Sequence, residues 1–264
     1  MKGRVSDNIL FALRHPSLTA TFLVRKRTHK LDFGTKEKMK AMYELEVAGN
    51  SELQILENYL TPRLSSYYSE TLKLGFVPDI IDKLVNYNYG NGLGILDYSN
   101  CRLLYSIIRH EKPMLVVETG VASGASSYSI LQAMKRNGFG RLYSIDLPQQ
   151  MFGNVYYIQT ERVPEGKTNG WLVPDNLREN WELILGDSRT ELPKLFERLK
   201  SIDIFIHDSL HTYEHMMFEY TAAWKCTKYE GLLISDDINA NNAFDDFTEG
   251  KGLKLNRLGI HRKV

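Results

Sequence analysis

The stretch "VVETGVASGASSYSIL", residues 116 to 131, passes from an apolar run through glycine and serine into a helical pattern. The run "MLVVE" predicts a buried strand, and residues 126–136 predict a helix. Gly120 permits a sharp turn between them, because glycine adopts backbone conformations that other residues avoid. The free N–H groups of the helix start then offer donors to a polar ligand. The stretch therefore predicts a strand–turn–helix unit that binds a ligand.

The alternation of strand and helix continues to the carboxyl terminus. Further short apolar strands are predicted at "RLYSID", "WELILGD", "IDIFIHD", "GLLISDD" and "RLGIHRKV", with helical stretches between them. Such strands are typical of a parallel sheet covered on both faces. We therefore expect a doubly wound α/β domain over residues 96–264.

The first 95 residues lack the alternation of strand and helix patterns. Helical patterns occupy residues 35–48, 51–60 and 78–85, and a glycine-dense tract follows at 89–94. We expect an N-terminal helical extension over residues 1–95, which serves as a substrate cap or as an element of a homo-oligomer.

The amino-acid composition of the chain restricts the kinds of partner and compartment that we expect for it. The chain has 33 Lys and Arg against 32 Asp and Glu, so no global field attracts nucleic acid. The basic cluster at residues 25–27 is interpreted as a solvated face rather than a contact with an anionic surface. Cys101 and Cys226 stand apart, which is typical of a reducing compartment, and the apolar tract at 9–13 is too short to span a membrane. We expect a soluble cytoplasmic protein without a transmembrane segment.

Carboxylates stand at the end of every main strand of the predicted sheet. They are Glu118, Asp146, Asp187, Asp208 and the pair Asp236 and Asp237. Ligands of doubly wound sheets bind beyond the carboxyl ends of the strands, where the strand order reverses. A single aspartate at such a place is explained by a turn or a helix cap, but the whole series favours a ligand site.

The spacing of the opening turn restricts the ligand. Glu118, Gly120 and Gly124 form an E-x-G-x-x-x-G pattern, whereas dinucleotide folds usually show G-x-G-x-x-G. Ala122 occupies the position of the second glycine, and Glu118 would repel a diphosphate while attracting an ammonium group. The pattern favours a nucleoside that carries an amino acid over NAD.

The ordered segments "VVETGVASGASS", "LYSIDLP", "LILGDS", "IDIFIHDSLHTYEH" and "EGLLISDDI" resemble class I S-adenosylmethionine-dependent methyltransferases. The similarity is to the small-molecule O-methyltransferase branch with its macrocin, caffeoyl-CoA and cephalosporin-hydroxylase-like types, and it covers residues 97–264. It implies a Rossmann-like, mostly parallel seven-stranded sheet, S-adenosylmethionine as cofactor, Mg²⁺ or Mn²⁺ as metal, and a hydroxyl of a small molecule or sugar as acceptor. The chain departs from the family pattern after Glu249, where it has room for one strand and a short partner, so we expect the usual terminal hairpin to be incomplete.

The resemblance also implies the residues that bind the cofactor. They are Glu118, Gly120, Gly124, Ser126, Ser127, Asp146, Asp187, Ser188 and Asp208. The first five would line the methionine part, Asp146 would accept the ribose hydroxyls, and Asp187 with Ser188 would flank the adenine. Alternatively, Asp187 only supports a helix start, because Ser188 and Glu191 have the spacing of a capping box.

His211 is the candidate general base. It follows Asp208 by three residues, the offset at which related enzymes place their base, although many of them use lysine. An uncharged imidazole can accept the proton of an attacking hydroxyl near neutral pH. The alternative is a histidine at a helix start that contacts carbonyl groups or solvent. His207 is expected to be buried, and His215 to support His211 from one helical turn away.

Asp208, Asp236 and Asp237 are the candidate metal ligands, because they end two neighbouring strands. A bound Mg²⁺ would offset the repulsion of the three carboxylates, and it prefers oxygen ligands. The related enzymes often have Asp-Asn where this chain has the Asp pair. The alternative is that Asp237 caps the next helix while Asp236 braces the loop.

The sequence is also compatible with two other functional classes, and it allows two interpretations of the loop that contains Trp171. The chain could be an NAD-dependent oxidoreductase, or a nucleoside-binding protein of the same fold without turnover. Trp171, in the long connection before the third strand, could cover a substrate or anchor its loop on the sheet.

Overall fold

The computed structural model describes residues 51–86, 98–148, 163 and 166–264. The predicted helix at 35–48 and the basic cluster at 25–27 lie outside these residues. The strands are β1 Leu115–Thr119, β2 Arg141–Asp146, β3 Trp181–Leu185, β4 Ile202–His207, β5 Thr227–Ser235, β6 Leu253–Leu255 and β7 Leu258–Arg262. The helices are α1 Ser51–Tyr59, α2 Leu64–Leu74, α3 Phe76–Asn86, α4 Tyr98–Glu111, α5 Ala125–Asn137, α6 Ser188–Leu199, α7 Tyr213–Cys226 and α8 Ala243–Thr248. A 3₁₀ helix, Asp175–Asn180, precedes β3.

The strands form one seven-stranded sheet in the order β3-β2-β1-β4-β5-β7-β6. Strands β1 to β5 are parallel, whereas β7 runs antiparallel to its neighbours β5 and β6. The predicted doubly wound, mostly parallel α/β sheet is confirmed. The terminal hairpin, which we expected to be incomplete, is present, with Leu253 paired to Ile260 in the three-residue β6.

The order of strands reverses between β1 and β4, which is the point at which sheets of this kind bind their ligands. In the register, Thr119 faces His207, and His207 faces Ser235. The residues that directly follow these strands therefore reach the same edge of the sheet. This edge carries the carboxylates that the sequence placed at the strand ends.

Helix α4 is buried because α2 packs on one side of it and α5 on the other. Leu103, Leu104 and Ile107 have no exposed surface. The carboxylate of Glu70, in α2, accepts hydrogen bonds from the Tyr105 hydroxyl at 2.8 Å and from Arg109 Nε at 3.1 Å. Helix α2 is thereby fastened to the part of the chain that contains the sheet.

Residues 51–77 and 93–264 form one compact unit, which contains the whole sheet, and residues 1–50 and 78–92 form the other. In the second unit the structure describes only residues 78–86, which are helical. The predicted division at residues 95 and 96 stays a prediction. Among the described residues, every helix is too short or too polar to cross a membrane.

Candidate active site

The glycine loop, residues 120–124, brings β1 and β4 together. Gly120 has a φ of 82°, and an added Cβ would lie 2.0 Å from the carbonyl oxygen of Asp208. Gly124 has a φ of 91°, and its Cβ would lie 2.7 Å from the Cα of Gly170. Only glycine permits both the backbone conformation and these approaches. The loop is therefore packed between the end of β4 and the segment around Gly170.

Ala122 also has a left-handed backbone, with a φ of 46°. This conformation costs an alanine about 1–2 kcal/mol. Its N–H donates to Asp146 Oδ2 at 2.8 Å, and a hydrogen bond to a charged acceptor contributes about 1.5–3 kcal/mol. The loop thus keeps its sharp bend without the second glycine of the dinucleotide pattern.

Glu118 lies beneath the loop with no exposed surface. One carboxylate oxygen accepts from the hydroxyl of Ser126, and the other accepts from Ser127 Oγ at 2.6 Å and from Ser144 Oγ at 2.8 Å. Burial raises the pKa of Glu118, and the three hydroxyl donors oppose that rise. The side chain therefore ties β1 to β2 and to the start of α5. The expected contact of this carboxylate with an ammonium group stays a prediction, and the Glu118 side chain has no solvent-accessible surface in this structure.

Asp146 ends β2 and lies against the glycine loop. Its Oδ2 also accepts from Asn169 Nδ2 at 2.6 Å, and its Oδ1 accepts from the N–H of Leu147 at 2.9 Å. Burial raises the pKa of Asp146, while the donors from Asn169 and the backbone lower it. Sequence reasoning missed Asn169, which lies in a long connection without a periodic pattern that could have marked it.

The segment from residue 166 to 174 lies on the glycine loop. Gly170 N–H donates to the carbonyl of Ala122 at 2.8 Å, and Leu172 N–H donates to that of Ser123 at 3.0 Å. Both bonds anchor the backbone on either side of Trp171, whose ring is partly exposed. The two interpretations of Trp171, as a cover and as an anchor, therefore both remain. Residues 149–162, 164 and 165 of the same connection lie outside the described part of the chain.

The start of α6 differs from the sequence interpretation by one residue. Asp187 is the N-cap, and its Oδ1 accepts from the N–H of Arg189 at 2.8 Å. The predicted capping box, with Ser188 as the cap, is wrong, because the aspartate takes that position and Ser188 is the first helical residue. Asp187 is exposed, whereas Ser188 is 8% exposed and lies 3.0 Å from His215 Nε2. The expected contacts of both residues with adenine stay predictions.

The ends of β4 and β5 bring together Asp208, His211 and Asp236. One nitrogen or oxygen ligand atom from each lies within 4.8 Å of the others. His211 Nε2 is 3.8 Å from Asp208 Oδ1, and His211 Nδ1 is 3.9 Å from Asp237 Oδ2. The imidazole thus stands between two carboxylates at distances longer than a hydrogen bond. The structure groups the two predicted ligands Asp208 and Asp236, and it adds His211 to them.

Asp237 is engaged by a residue that the sequence did not single out. Its Oδ1 pairs with both Nε and Nη2 of Arg257, which lies in the turn between β6 and β7. Burial lowers the pKa of Arg257, but the carboxylates of Asp237, Asp236 and Asp208 outweigh burial and raise it. The turn of the terminal hairpin therefore places the guanidinium of Arg257 beside the carboxylates at the end of β5. A hairpin turn with one arginine gave no signal in the sequence.

Behind this edge, His207 is fully buried and His215 is 5% exposed. Both rings contact the carboxylate of Glu219, in α7. The predicted burial of His207 is confirmed.

Comparison with known proteins shows what this chain is similar to. A family model described as a methyltransferase domain matches residues 117–238. No curated protein matches the chain at a significant level. A candidate caffeoyl-CoA O-methyltransferase from Staphylococcus aureus is 15% identical with a TM-score of 0.52, covering 75% of this chain and 99% of that one. A methyltransferase from Podospora anserina, solved with SAH bound, is 11% identical with a TM-score of 0.50, covering 88% and 97%.

At these identities the two solved structures establish the fold alone, and the family model shows a similarity to methyltransferase domains over residues 117–238. The matched residues run from the middle of β1 to just beyond β5, so they contain the glycine loop and all carboxylates of the sheet edge. The predicted methyltransferase resemblance is confirmed.

Proposed function

We propose that the methyltransferase domain of residues 117–238 transfers the methyl group of S-adenosylmethionine to a hydroxyl oxygen of a small molecule or sugar. The observation that carries the proposal is the position of Asp146, whose carboxylate lies 2.8 Å from the N–H of Ala122 in the glycine loop. An acid that follows the second strand beside such a loop can accept two ribose hydroxyls. The Podospora neighbour, solved with SAH bound, supports a nucleoside ligand for a protein of this fold.

The loop itself favours a sulfonium nucleoside over NAD. The carboxylate of Asp146 lies at the loop, whereas the carboxyl group of Glu118 is enclosed beneath it. The charge of Asp146 would repel a pyrophosphate at the same loop, but it would not repel the positively charged sulfonium part of S-adenosylmethionine. The cofactor-binding set expected from the sequence is proposed on these grounds.

His211 is proposed as the general base. Its imidazole is 21% exposed, so a substrate hydroxyl can reach it, and Asp208 and Asp237 flank it. In the proposed step the hydroxyl oxygen attacks the methyl carbon, and the carbon–sulfur bond breaks with its electron pair moving to sulfur. The hydroxyl proton passes to the imidazole. The products are a methyl ether, S-adenosylhomocysteine and a protonated His211, which releases its proton to solvent.

Asp208 and Asp236 are proposed to hold a divalent cation. Their oxygens and a nitrogen of His211 lie within 4.8 Å of one another, and Mg²⁺ and Mn²⁺ prefer such oxygen-rich sets. When bound, the ion would lower the pKa of the acceptor hydroxyl and orient it. Asp237 is a weaker candidate because it is paired with Arg257. His211 is assigned to the proton, since a nitrogen that binds a metal cannot accept one.

A methyl-transfer assay tests the proposed function. The protein would be incubated with S-adenosylmethionine labelled in its methyl group and a panel of phenols, catechols and sugar alcohols. Mass spectrometry is expected to show S-adenosylhomocysteine and a labelled methyl ether in equal amounts. Oxidation of the same alcohols with NAD⁺, without methyl transfer, would overturn the proposal.

A further inference from the structure

Glu219 is a charged residue of α7 that the proposed chemistry does not use. It has no exposed surface. Its Oε2 accepts from Thr119 Oγ1 at 2.6 Å and from His207 Nδ1 at 2.6 Å. Thr119 is the last residue of β1 and His207 is the last residue of β4. One carboxylate oxygen therefore joins the two strands between which the strand order reverses.

The second carboxylate oxygen of Glu219, Oε1, contacts the turn that follows β4 and the first part of α7. Oε1 accepts from Ser209 Oγ at 2.9 Å and from His215 Nε2 at 2.8 Å. Ser209 belongs to the turn between β4 and α7, which carries Asp208 and His211. His215 Nε2 in turn lies 3.0 Å from Ser188 Oγ at the start of α6.

The charge of Glu219 is well compensated. Burial alone would raise the pKa of this carboxyl, but the charges and hydrogen bonds of His207 and His215 outweigh burial and hold the pKa well below its usual range. A buried carboxylate with two imidazole and two hydroxyl donors has all its strong acceptor sites filled. It is therefore a fixed point to which the surrounding elements are attached.

We propose that Glu219 is a positioning residue for methyl transfer, which fixes the turn with Asp208 and His211 against the end of β1. The inference rests on the proposed function. The rings of His207 and His211 lie edge to face with their centres 5.2 Å apart, so the residue that Glu219 holds also borders the proposed base.

Two further hydrogen bonds also hold this turn. Asp208 N–H donates to the Thr119 carbonyl at 2.8 Å, and Asn241 Nδ2 donates to the His211 carbonyl at 3.3 Å. Ser209 is joined to the protein core through Glu219. A shift of about 1 Å in a reacting group can cost about 10²-fold in rate. Loss of the carboxylate is therefore expected to act on the rate more than on binding of the cofactor.

The test compares Glu219→Gln with Asp203→Asn. Asp203, in β4, is a matched control at the opposite edge of the same sheet, since its carboxylate accepts from the N–H groups of Met114 and Leu115 at 2.8 Å each and from Lys228. Both substitutions keep the side-chain shape and remove a partly or fully buried charge. Thermal unfolding, affinity for S-adenosylhomocysteine, kcat and KM would be measured at a temperature at which all variants are folded.

Glu219→Gln is expected to lower kcat about 10- to 100-fold, as for residues that orient a reacting group through another side chain, and to change the affinity by a smaller factor. Asp203→Asn is expected to lower the unfolding temperature while kcat stays near the wild-type value. If Glu219→Gln does not fold, Ser209→Ala removes one bond to the turn and is expected to lower kcat in the same direction.

A folded Glu219→Gln protein with wild-type kcat overturns the positioning role and leaves the proposed function intact. Equal losses of kcat in the Glu219 and Asp203 variants also overturn it, because a general loss of stability then explains both. If the wild-type chain neither binds S-adenosylhomocysteine nor transfers a methyl group, the proposed function itself fails.

Discussion

The two halves of the sheet edge hold their carboxylates in different ways. In the half that we propose for the cofactor, called the cofactor half, Glu118 and Asp146 accept from serine hydroxyls, an asparagine amide and backbone N–H groups. In the half that we propose for the methyl acceptor, called the acceptor half, Asp208 and Asp236 lie beside the imidazole of His211, and Asp237 is paired with Arg257. The first half uses neutral donors, and the second half uses groups that carry or can carry positive charge.

The different hydrogen-bond and ion-pair partners of the carboxylates indicate that the two halves have different functions. Hydroxyl and amide donors keep the same charge across the physiological pH range, so they hold a carboxylate as a permanent acceptor. An imidazole can take or release a proton, and a cation can replace it beside a carboxylate. We expect changes in the cofactor half to alter affinity, and changes in the acceptor half to alter rate and metal dependence.

The largest expected effect is metal removal in the acceptor half. Treatment with EDTA is expected to abolish methyl transfer, and Mg²⁺ or Mn²⁺ to restore it, because Asp208 and Asp236 would lose the ion that orients the acceptor. Affinity for S-adenosylhomocysteine, measured on the same chelated sample, is expected to change little. Full activity in chelated protein would contradict the proposed metal requirement and leave His211 as the catalytic group.

The next effect concerns the base. His211→Ala is expected to lower kcat about 10²-fold or more, since the attacking hydroxyl loses its proton acceptor, while cofactor affinity stays nearly intact. His110→Ala, in α4, is a control for the loss of a partly exposed imidazole far along the chain from the sheet edge. Near-normal turnover in the His211 variant would mean that proximity of the two substrates accounts for catalysis.

The smallest expected effect lies in the cofactor half. Asp146→Ala is expected to weaken S-adenosylhomocysteine binding by about 1–3 kcal/mol, the scale for hydrogen bonds to a charged group. Isothermal titration calorimetry would measure the change, with Asp203→Asn as a control for loss of a carboxylate elsewhere on the sheet. An unchanged affinity would exclude Asp146 from the ribose site.

The two halves also differ in how far the sequence predicted them. Strands, helices and the acids at the strand ends follow from local periodicity, so Asp146, Asp208 and Asp236 could be placed on one edge before the structure was known. Asn169 and Arg257 could not, because they reach the edge from a patternless connection and from the terminal hairpin. Their roles depend on packing between distant parts of the chain.

Glu219 is an intermediate case. The spacing of His215 and Glu219, four residues apart on one helix, was visible in the sequence and predicts that their side chains meet. The approach of Thr119 from β1 and of His207 from β4 depends on how α7 packs on the sheet, which local pattern does not determine. The cap of α6 was misplaced by one residue for a simpler reason, since Asp187 and Ser188 are both good N-cap residues.

We infer above all that the glycine loop and Asp146 bind an adenosyl amino acid, as a sulfonium or as its thioether product, rather than a dinucleotide. Calorimetric titration of the wild-type protein with S-adenosylhomocysteine and, separately, with NAD⁺ tests it most directly. We expect one S-adenosylhomocysteine bound per chain, weaker binding in Asp146→Ala, and no heat of binding with NAD⁺. Saturable binding of NAD⁺ together with no binding of S-adenosylhomocysteine would contradict it.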